Sequence, residues 1–208
     1  HNRSGSYISL GGVYEVKNKS TTIKEITAKV FRQSDNATLS LIWSTFPSPI
    51  CRRVAGNFET SFETAHPFKV EADSLAPAFV EFADKCANMD EVSNNILYPV
   101  VCATMPIFSQ SNATLPIVDG AVRALPEYAL AKIALNDHFF WKADEYEMVI
   151  TTIHSKGTFD KKYVFSLSDA ESFRLRNNID SVLISHVANH FGIPVQVNTV
   201  AKDFKEKN

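Results

Sequence analysis

Strand-length runs of alternating apolar and polar residues occupy most of the first 84 positions and return at 145–167. Polar turns separate them at intervals of roughly 8–12 residues, and stretches with helical spacing lie between and after the two groups. These three observations predict a mainly β fold with helices (α+β). The architecture expected is an immunoglobulin-like antiparallel β-sandwich with a helical insertion and a C-terminal helix.

The elements follow in order. "GGVYEVKNKS" sets Tyr14 and Val16 against Glu15 and Lys17 and turns at Asn18–Ser20. "TTIKEITAKVFRQSDN" places Ile26, Ala28 and Val30 on one face and Thr27 and Lys29 on the other, before a turn at Ser34-Asp35-Asn36. "LSLIWSTF" is a third, aromatic-rich strand, which Pro47 and Pro49 are expected to stop. Phe68/Val70 and Ala78/Val80/Phe82 mark two further strands around a turn near Asp73-Ser74. The texture changes over 85–142, the helical insertion. Asn88 and Glu91 have capping-box spacing ahead of a short helix that Pro99 should end. Pro126 opens another helix, with Leu130, Ile133 and Ala134 as its apolar positions.

Strands return across Tyr146, Met148 and Ile150 and across Tyr163, Phe165 and Leu167, joined by a hairpin around Gly157. A helix is expected over 168–191. Ser168 and Glu171 supply its capping box, Phe173, Ile179, Val182, Leu183 and Val187 its apolar stripe, and Gly192 and Pro194 its stop. "VQVNTV" suggests one last short strand, and 201–208 a frayed tail. Residues 1–208 are thus expected to form a single domain, with strands 7–84 and 145–167 making the sandwich.

Composition narrows the function. The 208 residues are 45% hydrophobic and 21% charged, which suits a packed globular chain, and 15 Phe favour a dense interior. A net charge of −2 disfavours nucleic acid as a partner. The charge is unevenly spread: residues 1–55 carry eight basic and three acidic side chains, 56–147 five and fourteen, and 148–208 eight and six. Paired strands from different segments would blend these signs; otherwise the middle segment forms an acidic face. The cysteines Cys51, Cys86 and Cys102 include no CxxC, so neither a zinc ribbon nor a dithiol redox motif is indicated. Cys86 and Cys102 are close enough in sequence for a disulfide, with buried thiols the simpler expectation. Glycosylation sequons at Asn18, Asn36 and Asn112 occur about as often as chance allows. No run of roughly 18 apolar residues is present, so a membrane contact is expected only through a missing segment ahead of His1.

The chemistry-bearing candidates are few. "SHVANH" puts His186 and His190 four apart on one helix face, a spacing that can grip a zinc ion. The metalloprotease pattern needs Glu after the first His, where this chain has Val187, and a third ligand would have to come from His66, His138, His154 or a carboxylate. Edge-of-stripe histidines near a helix end are the plainer interpretation. Glu145 and Glu147 share a strand face at which a glycosidase-like pair is conceivable, and Cys51 precedes Arg52 and Arg53, which favour thiolate. No GxSxG, GxGxxG or phosphate-loop motif occurs. The positive signal is aromatic: Trp43 and Phe46 at a strand end, and Phe139, Phe140 and Trp141 in a run, are expected ligand-binding residues.

The function expected is a non-catalytic recognition or scaffolding domain for a protein or carbohydrate partner, working through loops and the insertion. Its place would be extracytoplasmic, periplasmic or secreted, as the soluble part of an anchored or exported protein. No cofactor is expected. The alternatives are a zinc-dependent hydrolase built on His186 and His190, and a structural subunit that self-associates through a strand edge.

Overall fold

The structure, a computed structural model, describes residues 7–54, 57–84, 93–108 and 113–207. It is mixed α+β, and it divides into two compact units, each discontinuous in sequence. The sheet unit takes residues up to 84, then 146–165 and 204–207; the helical unit takes 93–145 and 166–203.

Among the described residues nine strands form one sheet: β1 (Tyr7–Val16), β2 (Thr21–Arg32), β3 (Thr38–Val54), β4 (Asn57–Thr64), β5 (Phe68–Val70), β6 (Ser74–Asp84), β7 (Asp144–His154), β8 (Gly157–Leu167) and β9 (Lys205–Glu206). Their order is β1-β6-β3-β2-β7-β8-β9, with β4 paired to β3 and β5 to β2. Neighbouring pairs are antiparallel, as in β1 with β6 and β2 with β7. The sheet is strongly curled. Three strands separate β1 from β7 in the order, a distance of about 19 Å were the sheet flat. Yet the Tyr14 hydroxyl of β1 lies 3.3 Å from Thr152 Oγ1 of β7, and its ring meets Phe68 and Phe159 edge-on.

β2 shows how the sequence produces the interior. Thr21 and Ile23 are buried, Lys24 and Glu25 are both exposed, and burial resumes at Ile26, Ala28, Val30 and Arg32. The change of phase is a β-bulge, where pairing with β7 steps from Ile23–His154 to Glu25–Ile153. The stripe of Ile26, Ala28 and Val30 is the one the alternation predicts. Ala78, Val80 and Phe82 of β6 likewise face inward, while Phe79 faces out over Gly11, its partner on β1. A Cβ on Gly11 would stand 3.1 Å from the Phe79 ring, so a side chain there would need the ring to shift by a few tenths of an ångström. Arg32 is buried at the end of β2 and forks onto Asp35, with Nε and Nη2 bonds of 2.9 and 2.6 Å. Asn36 follows at a φ of 57°, closing the turn expected there.

Two expectations about proline are corrected. β3 runs through Pro47 and Pro49 to Val54, because its pairing with β4 shifts between Pro47 and Cys51 and the irregularity accommodates the missing N–H groups. In the helical unit a π-helical turn, Ser93–Leu97, leads into α1 (Tyr98–Phe108). Pro99 therefore stands where the π turn passes into α1, an irregular junction that accommodates a residue without an N–H, and does not end a helix. Asn88 and Glu91, the expected cap, lie outside the described residues.

The other helices are α2 (Leu115–Arg123), α3 (Pro126–Asp137), α4 (Asp169–Arg176) and α5 (Asn178–Ala188), then a 3-10 turn at Asn189–Phe191. Pro residues open α2 and α3. The Ser168–Glu171 capping box forms as predicted, but the expected long helix divides at Asn177 and leaves Phe173 exposed. One core joins the insertion to this last helical stretch: Leu97, Val100, Val118, Val122, Leu183 and Val187 are among its members. The expected frayed tail is also corrected, since Lys205 and Glu206 pair with β8 and Lys202 binds Glu171 at 2.6 Å.

The inward and outward faces of β6 give a direct test. Phe82, 0% exposed, should lose about 3–5 kcal/mol on substitution by Ala, and Phe79, 42% exposed, about 1 kcal/mol. Urea unfolding of Phe82→Ala and Phe79→Ala, followed through Trp43 fluorescence in a Trp141→Phe background, measures both. Equal losses would show that the faces are assigned wrongly.

Candidate functional site

The candidate site is the outer face of α3, and its orientation follows from a polar clasp on the inner face. Tyr128, buried, donates its hydroxyl to Asp180 Oδ1 at 2.7 Å. Arg123 of α2 donates to the Tyr128 hydroxyl at 2.9 Å and reaches Asp180 at 3.4 Å; its Nε binds Asp119 at 2.9 Å. Lys132 closes the cluster on Asp180 at 2.8 Å. Burial, then the hydrogen bond to Asp180, holds the Tyr128 phenol well above its usual range, so it remains a donor. Burial alone would raise the Asp180 carboxyl. The bonds from Lys132 and Tyr128 outweigh it and hold the group below its ordinary value.

With Tyr128 turned inward, Ala131 is buried beside it and Leu135 packs against the same core. Leu130 and Ile133, three apart, then fall on the opposite face, 69% and 61% exposed. Of the apolar positions read from the sequence, Leu130 and Ile133 are therefore exposed and Ala134 is half-buried. Their spacing is helical, but Tyr128 and Ala131 have it too, and the part-buried hydroxyl–carboxylate bond decides between the faces. Other exposed apolar side chains on the helices include Leu115 and Ile117 on α2, Tyr98, Met105 and Ile107 on α1, and Phe173 on α4. The signal that could have found the site was in "EYALAKIAL": apolar residues lie on both sides of this helix.

The residues singled out by sequence are placed as follows. Trp43 is core, 8% exposed, with its ring edge-on to Phe68 at 6.1 Å. Its place on the alternating face of β3 with Leu39 and Leu41 turns it inward. Phe46 belongs to β3, and its side chain lies outside the described residues. Phe139, Phe140 and Trp141 are half-buried after α3. The Arg176 guanidinium covers the Phe139 ring at 5.0 Å, and Phe140 meets Trp141 edge-on at 4.9 Å. Ser172 Oγ donates to the Trp141 carbonyl at 2.8 Å.

His186 is half-buried on α5, while His190 is exposed in the 3-10 turn after it. Burial, then His190, lowers the His186 pKa and favours its neutral imidazole. Among the described residues no group of three or more His, Cys, Asp and Glu side chains is arranged to hold a metal ion. Glu147 is engaged by Lys207 at 2.5 Å, and Cys102 is exposed on α1. The Cys51, Arg52 and Arg53 side chains and all of Cys86 lie outside the described residues. Among the described residues no helix is long and apolar enough to cross a membrane.

Comparison with known proteins adds little. No protein-family model matches the chain, and no curated protein does. A solved structure described as a protein from Archaeoglobus fulgidus aligns with 78% of this chain and 96% of its own, at 7% identity and a TM-score of 0.27. A likeness of that size supports no statement about fold or function.

The clasp makes a pH-dependent prediction. Tyr128→Phe should cost about 1–2 kcal/mol at pH 7, because it removes a hydrogen bond to a half-buried carboxylate that water partly screens. The native Asp180 pKa lies below the ordinary 3.8, so its contribution is complete above that pH and is lost as pH falls through the lower native value. Urea titrations through Trp141 fluorescence, in a Trp43→Phe background, should show the Tyr128→Phe deficit at pH 7 and a smaller one near the acid limit of folding. A deficit independent of pH would mean that Asp180 is not its partner.

Proposed function

We propose that this chain is a non-catalytic recognition or scaffolding module that binds a partner protein through the outer face of α3. The observation that carries the proposal is the exposure of Leu130 and Ile133 on a helix whose opposite face is already core. A helix apolar on both sides has a second face suited to burial, and water contact there favours a covering surface. The chemistry supports protein over carbohydrate, because branched aliphatic side chains present no flat ring for a sugar to stack on. The charge balance supports neither nucleic acid nor a strongly ionic partner.

The finer architecture we propose for the sheet unit is the immunoglobulin-like sandwich. Its support is the curl that carries Tyr14 across to Thr152, Phe68 and Phe159, with apolar filling between the two arms of one sheet. An extracytoplasmic setting belongs to the same proposal.

The test is Leu130→Glu combined with Ile133→Glu. Stability should stay within about 1 kcal/mol of the parent, since both side chains already face water. Partners retained by the parent chain from its native source, once purified and titrated directly, should bind the double variant at least about tenfold more weakly. A purified partner that binds both chains equally would sink the proposal.

A further inference from the structure

The C-terminal end of α5 carries a pair of ionisable groups that neither the clasp nor the outer face of α3 uses. His186 and His190 stand four apart, one in α5 and the other in the 3-10 turn Asn189–Phe191 that continues it. His186 sits among core positions, since Leu183, Ile184, Val187 and Ala188 are all buried. Its ring is half-buried, and its Nε2 atom is buried with no hydrogen-bond partner among the described residues. Just beyond, the chain is closed by three local contacts. The Gly192 amide donates to the Asn189 carbonyl at 3.1 Å, and the Ile193 amide donates to the Ala188 carbonyl at 3.0 Å. The Phe191 ring meets Phe108 of α1 edge-on at 5.4 Å, and Gly192 makes the turn at a φ of 68°.

An orphaned ring nitrogen is tolerable while the imidazole is neutral, because an unfilled lone pair costs less than an unpaired charge. Protonated imidazole has N–H donors on both nitrogens, so Nε2 would then hold a charged donor without an acceptor. The C-terminal end of a helix favours a cation, which works the other way. Burial prevails and holds the His186 pKa below the ordinary 6.5, and His190, one turn away, adds like-charge repulsion. Charges on the elements packed against α5 are engaged elsewhere or exposed. Arg123 of α2 and Lys132 of α3 are gathered on Asp180, Asp119 binds Arg123, and Glu171 of α4 binds Lys202. Arg176 of α4 covers Phe139, and Tyr98 and Cys102 of α1 are exposed. Glu127 of α3 has a buried carboxylate oxygen without a partner among the described residues, which makes it the control for His186.

We propose that the C-terminal end of α5 is an acid-opened latch: when His186 and His190 take up protons, the His186 ring leaves the helical core and the closure through Phe191, Gly192 and Ile193 comes undone. The latch is separate from the outer face of α3, and the proposal does not rest on the function assigned there. Its direction follows from linkage. The open form binds protons at the ordinary value and the closed form below it. Closure is therefore complete above pH 6.5 and weakens as pH falls from there to the lower native value. The opening is local, because the Asp180 clasp keeps its contribution down to pH 3.8.

Hydrogen exchange of the full-length chain, read amide by amide by NMR from about pH 7.5 to about pH 5 with EDTA present, measures the latch directly. After correction for intrinsic exchange, protection of the Gly192 and Ile193 amides should fall about tenfold for each pH unit below 6.5, until native His186 titrates. The Val118 amide, bonded to the Thr114 carbonyl at the start of α2, should keep its protection. His186→Gln has no proton to gain, so protection of the two latch amides should no longer depend on pH. Glu127→Gln should keep the dependence of the parent. Constant protection in the parent overturns the proposal, and so does a dependence that survives His186→Gln or disappears in Glu127→Gln.

A second measurement needs no substitution beside the core. In a side-chain NMR titration of the parent, the His186 ring should titrate below 6.5. His190→Gln, at an exposed position, should move that midpoint upward and shrink the fall in protection, because the repelling charge is gone. A parent His186 that titrates at or above 6.5 refutes the latch, as does a midpoint that His190→Gln leaves unmoved.

Discussion

One extra residue in β2 sets the phase on which the sheet depends. Were the strand regular, the stripe begun by Thr21 and Ile23 would continue through Glu25, Thr27 and Lys29, and two charges would turn into the interior. The bulge at Lys24 and Glu25 leaves both in water and hands the inward face to Ile26, Ala28 and Val30. Because β2 is paired to β3 and β5 on one side and to β7 on the other, its phase is also theirs. The stripe ends on Arg32, whose cation is tolerable there because Asp35 meets it with two hydrogen bonds. From this end Tyr146, Phe165 and Phe204 continue outward as successive rings, so the β8 edge rests on the same foundation.

In the helical unit a comparable role falls to Asp180. Its carboxylate collects Tyr128, Lys132 and Arg123 from two helices and thereby fixes the rotation of α3. The polar cluster is specific where the apolar core is permissive. Tyr128/Ala131 and Leu130/Ile133 are both spaced to pack, but only the first face has a hydroxyl for the Asp180 carboxylate. The proposed docking face is thus the face that the clasp does not choose.

What was legible in the sequence was what local periodicity and local bonds encode. Ile26, Ala28 and Val30, and Ala78, Val80 and Phe82, alternate because one side of each strand is buried. Ser168 and Glu171 close a capping box within four residues. What stayed hidden depends on distant partners. Pro47 in β3 is tolerated because of pairing with β4, a relation that no window around Pro47 contains. The rotation of α3 needed Asp180, 52 residues away. Trp43 resembled a surface anchor because two prolines follow it, but its alternation with Leu39 and Leu41 was the stronger signal. Residues 201–208 looked like a solvated end, since their docking relies on one Phe and charges matched to another strand.

The interleaving of the two units has a consequence for how the chain reaches its native state. β2 must wait for β7, and the hydroxyl contact between Tyr14 and Thr152 closes a loop of 138 residues. The helical unit is delayed as well, because α1 to α3 emerge before the α5 side chains that complete their core. Long loops of this kind make contacts costly in chain entropy before any return is gained, so folding should be slow and should gather late in synthesis. Through that interval the first six strands stand with an apolar stripe and open edges in water, the condition in which nascent chains aggregate. Topology therefore places the interval of greatest exposure after the first strands are made and before β7 arrives.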